Sequence, residues 1–194
     1  MRMDVAAWLS RVTRTAVTAA TATVTVTEPG GAAREVSEHH LRADGPLRWS
    51  YTVREGGRET HRSCDGRETT HVVGGNPLRS KVPTGSDPTD DPWYFHSWPG
   101  VVDGWLVEML RPVDLLARVV VSAVETTGPD ASVRIRATPM GSEPSPYNGF
   151  SVPDGRSLCL SLDAERGCFT DVTVTHPGEN GPAHRLTHRL TGFE

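Results

Sequence analysis

Ala20-Thr-Ala-Thr-Val-Thr-Val-Thr27 alternates without a break: Ala20, Ala22, Val24 and Val26 fall on one side, and Thr21, Thr23, Thr25 and Thr27 on the other. A period of two is the mark of a strand with one dry and one wet face. Leu47, Trp49, Tyr51 and Val53 repeat the pattern against Arg48, Ser50, Thr52 and Arg54. It returns late in the chain with Val133, Ile135 and Ala137, and again with Leu158, Leu160 and Leu162. Between such runs stand turn signals: Glu28-Pro-Gly-Gly31, Asp44-Gly-Pro46, Glu55-Gly-Gly57, Asp65-Gly66 and Asp163-Ala-Glu-Arg-Gly167. Glycine pairs and Asp-Gly steps of this kind close hairpins, and the links are too short for parallel crossovers.

The first 73 residues therefore read as one helix and a meander of five strands, at 20–27, 34–41, 47–54, 58–64 and 67–73. The helix is expected over 3–15, where Val5, Trp8, Leu9 and Val12 share one face. Residues 74–100 read as a long Pro- and Gly-rich loop carrying Trp93, Tyr94, Phe95 and Trp98. A second helix is expected over 101–118, with Val102, Trp105, Leu106, Met109, Leu110 and Val113 on its apolar face and a break at Pro112. Strands at 119–126, 133–138, 158–162, 168–175 and 183–191 complete the chain. The expected class is α+β: one domain over 1–194, built on a curved antiparallel sheet of about ten strands with helices over its dry face.

Composition narrows the function classes. The chain of 194 residues is 36% hydrophobic and 23% charged, with a net charge of −4. That is more apolar than a disordered chain, and it offers no basic field for nucleic acid. No apolar run approaches the roughly 20 residues that span a bilayer as a helix. Among the 20 basic residues only Lys81 is a lysine. The arginines are scattered, as a GC-rich genome would leave them, rather than clustered into a phosphate site. Cys64, Cys159 and Cys168 are odd in number and lack zinc-ligand spacing. No GxSxG elbow, P-loop or HExxH is present.

Histidines supply the remaining chemistry. His61 and His71 lie on neighbouring strands with Cys64 between them, a conceivable metal pair. His184 and His188 share an inward strand face with Leu186 and Leu190. Asp87, Asp90 and Asp91 crowd into the long loop without an EF-hand pattern. The N-terminal stretch is interrupted by Asp4, Arg11 and Arg14 and does not read as a signal peptide. As written the protein is expected in the cytoplasm, or exported if the true start lies upstream.

The order of elements resembles the LolA/LolB-like lipoprotein-carrier superfamily, with its RseB-type and mycobacterial lipoprotein (LppX-type) members. The resemblance lies in the strand 21–27, Leu-Arg-Trp-Ser-Tyr at 47–51, the Asp65-Gly66 hairpin running to Val73, and Leu110-Arg-Pro-Val-Asp-Leu-Leu116. The 160–167 hairpin and Leu190-Thr-Gly-Phe193 complete it. It implies an unclosed β-barrel with a helical lid over an apolar cavity, and non-enzymatic binding of a lipid or other hydrophobic ligand. Candidate lining residues are Trp49, Tyr51, Val53, Leu158 and Leu160 from the sheet, and Trp105, Leu106, Met109 and Leu110 from the helix. His184 and His188 would join them. No cofactor, metal or nucleic acid is expected. The alternative is a regulatory domain that binds a protein partner through the sheet or the 84–100 loop.

Overall fold

The computed structural model describes residues 10, 12–13, 18–83, 96–127, 132–140, 149–178 and 183–194. The expected helix at 3–15 and the aromatic and acidic parts of the long loop fall mainly outside these residues. In chain order the elements begin with β1 (Ala19–Thr27), β2 (Ala33–Gly45), β3 (Arg48–Glu55), β4 (Arg58–Asp65), β5 (Glu68–Val73) and β6 (Asn76–Lys81). Three short helices follow: α1 (Trp98–Val101), α2 (Gly104–Leu110) and α3 (Pro112–Leu116). Then come β7 (Val119–Thr127), β8 (Ser132–Pro139), β9 (Ser157–Asp163), β10 (Cys168–His176) and β11 (His184–Phe193).

The eleven strands form one antiparallel sheet in the order β6-β5-β4-β3-β2-β1-β11-β10-β9-β8-β7. It consists of two meanders joined where β1 pairs with β11, Val24 facing His188 and Ala22 facing Leu190. The sheet is unclosed, with β6 and β7 at its two edges. The helices are the connection from one edge to the other, so the chain crosses over the sheet between β6 and β7. An unclosed antiparallel sheet with short helices on one face is the architecture that the LolA/LolB-like resemblance implies.

The alternation reports the faces correctly. Ala20, Ala22, Val24 and Val26 are all buried, and the threonines between them are partly exposed. Two expectations need correction. The chain has a sixth strand before the helices: Gly74 and Gly75 both take positive φ, 58° and 83°, and form a tight turn into β6 rather than opening a loop. β6 tolerates Pro77 because it is an edge strand, where a missing N–H costs least. The helical region is three pieces rather than two. Pro112 opens α3, which resets the helical phase and leaves Val113 40% exposed instead of on the dry face.

The dry face is filled unevenly. α2 packs on β10, and α3 packs on α2 and β7. Over this half Leu106, Met109, Leu110, Leu158, Leu160, Leu162, Phe169 and Val172 form a closed core, each at most 3% exposed. Leu160→Ala is expected to cost about 3 kcal/mol in urea denaturation, because it leaves a void among rigid neighbours. Val124→Ala, at a side chain 60% exposed on β7, is expected to stay within about 0.5 kcal/mol.

Candidate functional site

Cross-strand register lays one row across the N-terminal half of the concave face: Ala20, Leu41, Tyr51, Arg62, His71 and Leu78. Burial falls along it. Ala20, Leu41 and Tyr51 are buried, Arg62 and His71 are half-buried, and Leu78 on β6 is 66% exposed. Over these outer strands lies a cavity of about 760 Å³. Its sheet wall includes Trp49, Arg62, Thr69, His71, Leu78 and Arg79, and its other wall is the run Gly100–Trp105 at the junction of α1 and α2. A volume of this size lies within the range of ordinary small-molecule sites.

Polar contacts hold the two walls together. The Trp49 indole N–H donates to the carbonyl of His96 at 3.0 Å. The Arg62 guanidinium donates to the carbonyl of Val101 at 2.6 Å and reaches His71 Nε2 at 3.5 Å. Burial, and then the Arg62 charge, pull the His71 imidazole below its usual value. It therefore serves as a neutral acceptor.

Behind the cavity an aromatic stack crosses the seam between the half-sheets. The Trp105 ring meets His39 edge-on at 4.7 Å and His188 at a tilt, also at 4.7 Å. His188 in turn meets Phe150 at 4.9 Å. His39 is satisfied within the core: Nδ1 lies 2.9 Å from the Tyr51 hydroxyl and Nε2 2.8 Å from Ser37 Oγ. Asp103 Oδ2 lies 3.7 Å from His39 Nδ1. Burial, followed by the Asp103 charge, lifts the Tyr51 phenol well above its usual range. Burial lowers His39, with Asp103 opposing, and pulls His188 down to about 4.

Glu108 is an unexpected feature of the lid. It sits on α2, 3% exposed, with its carboxylate accepting the Phe150 N–H at 2.5 Å and facing Arg118 Nη1 at 3.4 Å. Burial outweighs these partners and pushes its carboxyl up to about 7. The carboxylate fills the space where residue 149 would carry a side chain, since a Cβ on Gly149 would stand 2.4–2.6 Å from its atoms. Glycine at 149 lets the 149–151 segment close over α2.

The candidate residues thus part company. Trp49 and Trp105 line the cavity. Tyr51 and Val53 belong to the sheet beside it, Tyr51 buried and Val53 packed at the core's margin. Leu106, Met109, Leu110, Leu158 and Leu160 stand in the closed core of the other half. His188 is inward and buried, as the strand pattern implied. His184 stacks on His176 at 4.7 Å at the end of the sheet, away from the lid. His61 and His71 point to opposite faces, because His71 pairs with Arg62 rather than His61, so they do not converge on a metal. Arg62, Asp103 and Glu108 were not singled out from sequence. A lone Glu inside the apolar run Trp105–Leu110 was the one available signal for the last.

Among solved structures the chain is similar to LprF from Mycobacterium bovis, at 9% identity and a TM-score of 0.48, over 97% of this chain and 91% of that one. It is similar to a chain of the Pseudomonas aeruginosa MucA/MucB complex at 18% identity and a TM-score of 0.35, over 99% of this chain and 57% of that one. A LolA superfamily protein from Nitrosomonas europaea aligns at 5% identity and a TM-score of 0.35, over 100% of this chain and 94% of that one. No family model and no curated protein matches the sequence. Among the described residues no helix is long and apolar enough to cross a membrane.

The buried ionisable groups set a pH dependence. Unfolded His188 takes a proton near 6.5, whereas folded it stays neutral down to about 4. Its contribution is complete above 6.5 and is lost as the pH falls towards 4, about 3 kcal/mol from this group. Glu108 acts in the opposite sense: its contribution is complete below 4.5 and is lost as the pH rises through about 7. Urea midpoints taken across pH should show a shallower acid-side loss for His188→Leu and a flatter neutral limb for Glu108→Gln. Gly149→Ala is expected to destabilise by about 2 kcal/mol, since its methyl must displace the Glu108 carboxylate.

Proposed function

We propose that the protein is a non-enzymatic carrier that holds a lipid or similar hydrophobic small molecule between the outer strands β4–β6 and the α1–α2 junction. The observation that carries this is the uneven filling of the concave face. One half is a closed core under α2 and α3, while the other keeps a cavity of about 760 Å³ bounded by Trp49, Trp105, Val101, Val102 and Leu78. Two indoles and aliphatic groups suit an alkyl chain. Native mass spectrometry of the purified chain should find one co-purifying hydrophobic molecule per protein, removable by solvent extraction. Thr69→Trp, which drives an indole into the cavity from β5, should abolish uptake of a fluorescent fatty-acid probe while leaving the melting temperature near that of the parent. Uptake that persists in this variant would place the ligand elsewhere.

The second proposal, a protein partner bound through the sheet, is favoured by the contrast between the two edges. β6 carries Pro77, Arg79 and Lys81, the residues that protect an edge from pairing. β7 carries Val120, Val121 and Val124 at 53%, 42% and 60% exposure and no proline or lysine. A partner strand added to β7 would bind equally well after delipidation, and Val121→Lys with Val124→Lys would remove it.

A further inference from the structure

The cavity is not uniformly apolar: two arginines line it, Arg79 on the exposed edge strand β6 and Arg62, which is half-buried and has a defined setting. Arg62 stands on the concave face of β4, in register between the buried Tyr51 and the half-buried His71. Several other arginines of the described sheet and lid are tied to carboxylates: Arg54 to Glu59 and Glu38, Arg111 to Asp114, Arg118 to Glu108, Arg189 to Asp171. Arg62 lines the cavity and has no ion pair among the described residues; its contacts are the carbonyl of Val101 and the ring nitrogen of His71. A guanidinium carries five N–H donors in a planar fork, and two neutral acceptors leave most of that fork unused. His71 that accepts from Arg62 through Nε2 carries its proton on Nδ1, a further donor. The carboxylate of Asp103 also faces the cavity, but it lies towards the opposite wall, beside His39 and Tyr51.

Resting on the carrier proposal above, we infer that the ligand is an amphiphile with an anionic head, a carboxylate or phosphate, which Arg62 grips at the open end of the cavity while the chain lies against Trp49 and Trp105. The arrangement follows the fall in burial along the row. The alkyl part finds the aromatic inner wall. The charge stays near the exposed strands β5 and β6, where desolvation is partial and a guanidinium–anion pair adds a charge-assisted, bidentate contact.

The test uses the delipidated full chain and a matched series: dodecanoate, dodecyl phosphate, dodecanol, dodecyltrimethylammonium and inorganic phosphate, each followed by tryptophan fluorescence. Dodecanoate and dodecyl phosphate should bind about tenfold or more tightly than dodecanol, as a charge-assisted pair implies. Arg62→Gln should bring that ratio close to one, and Arg62→Lys should keep most of it. Melting curves of both variants confirm that they fold, and the Lys variant carries the test if the Gln variant does not. Equal affinity for dodecanoate and dodecanol, or a preference for the ammonium amphiphile, would overturn the anionic head while leaving the carrier standing, and a ratio indifferent to Arg62→Gln would overturn Arg62 as the group that grips it. Inorganic phosphate binding as tightly as dodecyl phosphate would replace it with a bare anion site. Failure of every amphiphile to bind would overturn the carrier proposal itself.

Discussion

The seating of Trp105 between His39 of β2 and His188 of β11 fixes where the lid can lie. These two strands lie on either side of β1, so one indole spans the junction of the two meanders. Once it is seated, the rest of α2 runs over β10 and α3 over β7. The lid is short. Seven residues of α2 make a rod of roughly 10 Å, while eleven strands at their usual spacing extend across roughly 48 Å. A rod of that length covers one half of the sheet, and among the described residues the helix packing falls on β10 and β7. The cavity is a consequence of that mismatch between lid and sheet.

The polar groups in this interior are bound up with the same seat. His39 is held neutral by burial and by its two hydroxyl partners, and His188 by burial against two aromatic rings. Protonating either would place a charge between the indole and the sheet. Glu108 works from the other side of α2, drawing the 149–151 segment onto the helix through the Phe150 N–H. The lid is thereby fastened at both flanks by groups whose buried charge would be costly, which couples its position to pH.

Much of the fold was legible in the sequence because one sheet face is wet. Ten of the strands announce themselves through alternation or through glycine turns. The strand Asn76–Lys81 does not, because every residue in it is exposed and no apolar period is left to read. The helix break at Pro112 was legible; the outward turn of Val113 was not, because it depends on where the new helix takes its phase. The site was less legible than the fold. Periodicity tells which residues face inward, and it correctly brought Trp49, Tyr51, Leu160 and His188 to one face. It cannot tell which inward residues the lid covers, and so it grouped core leucines such as Leu158 and Leu160 with the true cavity residues Trp49 and Trp105. Arg62 escaped notice because its strand alternates weakly and its neighbours are polar on both sides.

The central claim is that one half of the concave face is a packed core and the other a ligand cavity. A spin-labelled fatty acid titrated into the isotope-labelled protein tests it most directly by paramagnetic broadening of backbone amides. Broadening should concentrate on β5, β6 and residues 100–105, and should spare β8 and β9. Broadening centred on β8–β10, or none at all, would contradict it.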